Sequence, residues 1–174
     1  MKTIAILTSG GDAPGMNAVI RAVVRKGLYH GLRVQGVERG YDGVINGLFK
    51  PLSLSSVAGI IQSGGTMLRT ARSDAFRTPQ GFRQALAQLR YHHIEALIVV
   101  GGDGSMAGAA KLAEAGVPTM VVPATIDNDM SGTEYAIGFD TALNTVLDAV
   151  NKIRDTAASH ERVAVVEVMC RHSG

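Results

Sequence analysis

A chain of 174 residues is long enough for one sizeable domain with its own core, and 46% apolar with 18% charged residues is the composition of an ordinary globular protein. A net charge of +2, without any run of lysines and arginines interleaved with aromatics, argues against a nucleic-acid partner and for small anionic ligands. The apolar run Ile4 to Leu7 is too short for a signal peptide and none approaches a membrane span, so a soluble cytoplasmic protein without a membrane partner is expected. The single cysteine, Cys170, excludes an intrachain disulfide.

The 21 glycines fall in clusters, which points to loops that approach a ligand closely. Ile4 to Leu7 reads as a buried strand. Ser9-Gly10-Gly11-Asp12-Ala13-Pro14-Gly15 turns it into a helix with Met16, Ile20, Val23, Val24 and Leu28 on its apolar face, ending near Gly31. A strand over 33–37 then completes a right-handed βαβ unit. Gly10 and Gly11 present bare N–H groups beside a helix N-terminus, a ready anion site, although the loop matches neither common nucleotide fingerprint. Arg21 and Arg25, four apart, share a helix face, where they either clamp a phosphate or lie solvated.

Gly40 to Gly47 reads as a glycine-rich turn, and Ser53 or Ser55 is placed to cap a short helix through Ile61. A second glycine loop, Ser63-Gly64-Gly65-Thr66, leads to Arg69 and Arg72; Arg72 has the chemistry to stabilise phosphoryl charge. Thr78-Pro79 opens a helix with Phe82, Ala85, Leu86 and Leu89 inward, closed by His92 and His93. Ala96 to Val100 is a continuous apolar strand of the kind a parallel sheet buries on both faces. Gly101-Gly102-Asp103-Gly104-Ser105 ends it and starts a helix to about Glu114. Its small glycines leave room for a phosphate, Ser105 is placed to cap the helix, and Asp103 to hold Mg²⁺.

Thr119 to Val122 runs into Pro123-Ala124-Thr125-Ile126-Asp127-Asn128-Asp129. If this stretch stays extended, Thr125, Asp127 and Asp129 leave one side of the backbone. Two carboxylates that close imply a metal ion or cationic partner, or a raised pKa on one of them. Met130 to Ile137 is a loop or short strand. Gly138-Phe139-Asp140 begins a long helix with Leu143, Val146, Leu147, Val150, Ile153 and Ala157 inward and Arg154 outward, and Val163 to Met169 reads as a last strand. Three strand–glycine–helix units make an α/β fold, a doubly wound, mostly parallel sheet with helices on both faces. Such a sheet gathers Gly11, Asp103 and Asp127 around one crevice at its carboxyl edge. Glycine loops for phosphates, an aspartate for metal and another to accept a hydroxyl proton are the parts of a phosphoryl-transfer site.

Five motifs then match one family in order across essentially the whole chain: Thr8-Ser9-Gly10-Gly11-Asp12, Gly101 to Ser105, Thr125 to Asp129, Gly138-Phe139-Asp140-Thr141-Ala142-Leu143-Asn144, and Lys152-Ile153-Arg154-Asp155-Thr156. The chain resembles the first half of the bacterial ATP-dependent 6-phosphofructokinases. The resemblance implies a glycolytic transferase moving the γ-phosphoryl of MgATP to the 1-hydroxyl of fructose 6-phosphate and leaving ADP. It implies an ATP-binding domain over 1–138, a second, sugar-phosphate-binding domain begun over 139–174, a chain that continues for about as many residues again, and a homotetramer. Gly11, Arg72, Ser73, Gly102, Gly104 and Ser105 would contact ATP and Asp103 the metal. Asp127 would be the general base, with Thr125, Ile126 and Asp129 beside it. Arg72 and Arg171 would stabilise the transferring group, Met169, Cys170 and Arg171 would line the sugar-phosphate site, and Arg162 would reach a neighbouring subunit's substrate. Arg21, Arg25 and Arg154 match positions that bind the allosteric effectors ADP and phosphoenolpyruvate.

Relatives using pyrophosphate carry an aspartate and a lysine where this chain has Gly104 and Ala124, which favours ATP. Three positions depart from the family: Ala124 and Cys170 stand where glycine is usual, and Leu54 where an effector-binding arginine is common. A side chain at 170 is expected to crowd the sugar-phosphate site or force backbone angles only glycine tolerates. Gly-Gly-Asp-Gly alone is also found in NAD kinases and lipid kinases, against which Thr125 to Asp129 argues. A further reading of the chain is a nucleotide-binding module with no catalytic activity.

Overall fold

The computed structural model describes residues 2–170. Successive strands alternate their apolar side chains between two faces. Ala5, Leu7, Leu97 and Val99 enter one core with Val44, Ile45, Leu89 and Leu112, while Ile6, Val100 and Val34 enter another with Met16, Ile20 and Val24. The result is three layers around a six-stranded sheet.

In chain order the elements are β1 (Thr3–Thr8), α1 (Met16–Tyr29), β2 (Arg33–Val37), α2 (Gly40–Asn46), β3 (Phe49–Pro51), α3 (Pro79–Tyr91), β4 (Ala96–Gly101), α4 (Asp103–Glu114), β5 (Thr119–Thr125), β6 (Ile137–Gly138) and α5 (Phe139–Ser159). The long connection 52–78 holds only two 3₁₀ turns, Ile60–Gln62 and Ala75–Arg77. Strand order is β3-β2-β1-β4-β5-β6, parallel except for the β2–β3 pair at one edge. The chain leaves β1 for β2 on one side and later returns to β4 on the other. Order therefore reverses between β1 and β4, where doubly wound sheets open a crevice at their carboxyl ends.

Most of the expected elements stand. Thr78 caps α3, its hydroxyl accepting from the Gly81 N–H at 3.0 Å, with Pro79 in the first turn. Gly40 to Gly47, expected as a turn, folds as α2. Arg39 and Gly40 take left-handed angles to enter it, Gly47 does so to leave it, and Tyr41, Val44 and Ile45 are buried. Gly43 is there for space, since a β-carbon would lie 1.7 Å from the Glu38 carbonyl oxygen.

Ser53 and Ser55 cap no helix. The Ser53 hydroxyl accepts from the Ser56 N–H at 3.2 Å and meets the Ser55 hydroxyl at 2.8 Å, closing a local turn, and the 3₁₀ turn at Ile60 starts from Gly59 instead. The last predicted strand is absent: residues 163–170 form no regular structure, and Val163 is 95% exposed. A strand with no neighbour cannot satisfy its backbone N–H and C=O groups. The stripe on α5 is likewise not inward. None of its residues is buried and Leu147 is 52% exposed, because no element of the described chain covers it.

Candidate functional site

Four segments meet at the carboxyl edge of the sheet. β1 ends in buried Thr8 and Ser9, β4 in buried Gly101, and the two ends are bonded: the Ser9 N–H donates to the Val100 carbonyl at 3.0 Å and the Ser105 hydroxyl to the Ser9 carbonyl at 3.0 Å. Ser105 was expected to cap α4. Gly102 occupies the cap position without any side-chain bond, and the Ser105 side chain instead ties the second glycine loop to the first. This contact is tight enough that a β-carbon on Gly101 would lie 2.5 Å from both the Ser9 carbonyl oxygen and Ser105 Oγ.

Gly11 and Gly104 are the reverse case, with nothing within 4 Å of where a β-carbon would stand. Both are exposed, as are Asp12 and Asp103. Gly10-Gly11 lies just ahead of α1 and Gly102-Asp103-Gly104 opens α4, so two helix N-termini with bare N–H groups flank the crevice.

β5 brings the third segment alongside. Its Pro123 pairs with Gly101, so Thr125 and Asp103 each stand two residues past the same rung, and a β-carbon on Gly102 would be 3.9 Å from Thr125 Cβ. The stretch does not stay extended as expected. It bends after Thr125, and Asn128 takes a left-handed φ of 51° between the two aspartates, so their common side cannot come from strand alternation. The Asp127 N–H instead donates to Thr125 Oγ1 at 3.1 Å, leaving Asp127 and Ile126 half-buried and Asp129 exposed.

The fourth segment, 63–73, is stitched on by side chains. Thr8 Oγ1 meets Thr66 Oγ1 at 2.9 Å and donates to the Arg69 carbonyl at 2.8 Å, and Thr70 Oγ1 donates to the Gly10 carbonyl at 2.6 Å. This carries exposed Arg72 past the first glycine loop. Ser73 accepts from the Phe76 N–H at 3.3 Å, opening the 3₁₀ turn at Ala75.

The structure thus brings together Gly11, Gly102, Asp103, Gly104, Ser105, Thr125, Ile126, Asp127 and Asp129, with Arg72 and Ser73 on the stitched segment. Arg162, Met169 and Cys170 lie on the exposed stretch after α5, which pairs with no strand; Met169 is 85% exposed. Arg171 lies outside the described residues. Arg21 donates to the Val57 carbonyl at 2.5 Å, Arg25 is exposed beside Leu54 and Tyr29 in a shallow groove, and Arg154 is exposed on α5 with Asp155 at 3.8 Å.

Among the described residues no group of three or more metal-ligating side chains occurs. The crevice still suits Mg²⁺, which is commonly held by one or two carboxylates together with phosphate oxygens and water. Exposed Asp103, in the first turn of α4, is a donor of that kind. No described helix is long and apolar enough to cross a membrane.

Residues 3–174 match the family model described as phosphofructokinase. The chain belongs to the phosphofructokinase family. The ATP-dependent 6-phosphofructokinases of Alkaliphilus metalliredigens and Shouchella clausii are 58% and 59% identical across 100% of this chain, which covers 54% of each. The chain therefore spans about half the length of these curated relatives. Among solved structures, phosphofructokinase from Saccharomyces cerevisiae has a TM-score of 0.92 and 42% identity over 100% of this chain and 27% of that one. A pyrophosphate-dependent phosphofructokinase from Marinobacter aquaeolei, 22% identical with a TM-score of 0.74 over 89% of this chain and 42% of that one, shares the fold.

Reading the sequence missed three supports of this crevice. Asn128 holds the aspartate loop: its Nδ2 donates to the Glu134 carbonyl at 3.0 Å and its Oδ1 accepts from the Ala136 N–H at 2.9 Å. Tyr41 donates to the Ser105 carbonyl at 2.6 Å and stacks on Phe76 at 4.2 Å, packed over Gly108, and burial pushes its phenol pKa up. Asn17 anchors the segment 63–67. Signals for all three were available: an asparagine tolerant of left-handed angles between two acids, a lone aromatic in a glycine run, and a carboxamide on an apolar helix face.

Proposed function

We propose that this chain is the nucleotide-binding and catalytic half of an ATP-dependent 6-phosphofructokinase, in which residues 1–138 hold MgATP and 139–174 begin the domain for fructose 6-phosphate. The observation that carries the reading is the Ser105-to-Ser9 bond, which locks two glycine loops and two helix N-termini together at the switch point of the sheet. That arrangement is an anion cradle with no side chains in the way. Open space beside Gly104, and Ala124 where pyrophosphate-using relatives carry lysine, both favour ATP as donor.

In the reaction the 1-hydroxyl oxygen of the sugar phosphate bonds to the γ-phosphorus while the bond from that phosphorus to the β,γ-bridging oxygen breaks. Asp127 takes the hydroxyl proton, and ADP leaves with the bridging oxygen. Thr125 fixes the backbone of Asp127 through their 3.1 Å bond. Asp129, exposed beyond the turn at Asn128, lines the same loop beside Asp127. Backbone N–H groups of Gly11, Gly102 and Gly104 hold phosphate oxygens, while Ser105, its N–H bonded to the Gly102 carbonyl at 3.0 Å and its hydroxyl to Ser9, fixes the loop that presents them; Arg72 and Arg171 offset charge on the transferring group. Asp103 would hold Mg²⁺, which when bound neutralises phosphate charge and orients the donor. Met169, Cys170 and Arg171 take the sugar phosphate, with Arg162 reaching across to a second subunit of a tetramer, and Arg21, Arg25 and Arg154 bind effectors.

The test is MgATP binding and fructose 6-phosphate-dependent ADP release, measured on this chain and on the same chain continued by the second half of a relative. Binding by both, with release lost in Asp127→Ser at nearly unchanged MgATP affinity, is the expected result. Absence of MgATP binding, or loss of that affinity in Asp127→Ser, overturns it.

A further inference from the structure

The segment 63–73 lies in no strand or helix, and a buried side chain of α1 grips its start. Asn17 is 3% exposed, between the fully buried Met16 and Ile20. Its Nδ2 donates to the carbonyls of Ser63 at 3.0 Å and Gly64 at 3.3 Å, and its Oδ1 accepts from the Met67 N–H at 2.8 Å. Both amide donors and the carbonyl are therefore used. A leucine would suit this apolar face, and a carboxamide there is costly unless it is satisfied. One turn on, Arg21 holds the Val57 carbonyl, so α1 fixes the connection at two places.

Past Asn17's grip, the hydroxyls of Thr8 and Thr70 pin Thr66, Arg69 and Gly10, and Arg72 follows two residues after Thr70. Resting on the reading of Arg72 as a nucleotide ligand, we propose that Asn17 is a positioning residue for polyphosphate recognition. It sets the distance from the base of the Arg72 side chain to the Gly10-Gly11 loop, and so the affinity for the nucleotide's phosphates. An arginine gains affinity from a fork held at a defined place, and loses it when its backbone wanders.

A merely structural asparagine would change stability alone, so the test is a double-mutant cycle read as MgATP affinity by equilibrium dialysis on the intact chain. The variants are Asn17→Ala, Arg72→Ala and both together. Asn17→Asp runs in parallel as a variant that keeps volume and the acceptor for Met67 N–H. With Arg72 present, loss of the Asn17 bonds is expected to weaken MgATP binding about tenfold. In the Arg72→Ala background the same change costs less than about twofold, because the two residues act through one path. The unfolding temperature should fall equally in both backgrounds. Equal weakening of binding in the two backgrounds, or none in either, overturns the proposal. Arg72→Ala with unchanged MgATP affinity overturns it as well, and that single measurement assigns the failure to the reading of Arg72 rather than to the Asn17 contacts.

Discussion

Gly104→Ala separates folding from ligand binding at one atom. Gly104 is the second residue of α4, its φ is not in the left-handed region, and a β-carbon there meets nothing within 4 Å. Alanine in a helix gains up to ~1 kcal/mol over glycine, largely by restricting the unfolded chain. In the first turn, where helical order is least complete, about half of that is expected, raising the unfolding temperature by roughly 1–2 °C for a domain of this size. The same methyl enters the space assigned to the phosphates. Displacing one backbone N–H contact to a charged oxygen costs about 1.5–3 kcal/mol, so MgATP affinity should fall by at least about tenfold. Thermal unfolding followed by circular dichroism, with titration calorimetry of MgATP on the same preparation, reads both numbers. A lower unfolding temperature would mean the space is not there. A higher one with unchanged affinity would mean the nucleotide does not lie against Gly104, and the crevice would lose its main support.

The other glycines and supports give opposite signs. Gly101→Ala drives a methyl to 2.5 Å from the Ser9 carbonyl oxygen and should destabilise by about 1–3 kcal/mol in urea denaturation; a neutral result would mean the β1 and β4 loops are not locked. Asn128→Gly loses the two staples to Glu134 and Ala136 but keeps the backbone angle, whereas Asn128→Ala loses both and should unfold about 1 kcal/mol more easily, as denaturant midpoints would reveal. Tyr41→Phe should cost about 1 kcal/mol at neutral pH for its lost buried bond. Because burial raises the Tyr41 phenol from 10.0, the wild-type chain is fully stabilised below about pH 10 and loses stability as pH rises through and beyond it, since the unfolded chain releases that proton first. The Phe variant should lack this alkaline loss, and an ultraviolet titration should find one tyrosine of four resisting ionisation until the fold opens.

Periodicity carried the sheet and its main helices, because strands buried on both faces and amphipathic helices are written in local apolar spacing. It failed where tertiary contacts override spacing. α2 is invisible in Gly40 to Gly47 because three of its glycines serve left-handed entry, left-handed exit and a close approach to Glu38. The stripe on α5 and the Val163 to Met169 run were read correctly as apolar patterns and wrongly as buried ones, since burial needs a partner that local spacing does not name. At the site, Gly11, Asp103 and Asp127 were legible as glycine loops and acids at strand ends. Ser105's true role was not, because its partner is Ser9, far away in sequence.

The glycine-rich composition divides by what each residue leaves empty. At Gly101, Gly108 and Gly40 a β-carbon would strike Ser9, Tyr41 or the Thr8 carbonyl, so these glycines let the carboxyl ends of β1 and β4 and the helices α2 and α4 close on one another. At Gly11, Gly64 and Gly104 the same atom would enter open space. Packing cannot be the reason for that second group, as alanine would serve a loop or helix there equally well or better. Three exposed positions without a side chain, on three segments, are what the proposed nucleotide site requires. Bare N–H groups at two helix N-termini favour negative charge there. In the proposed function a polyphosphate meets both requirements, occupying the space beside Gly11 and Gly104 and carrying the charge that those N–H groups favour.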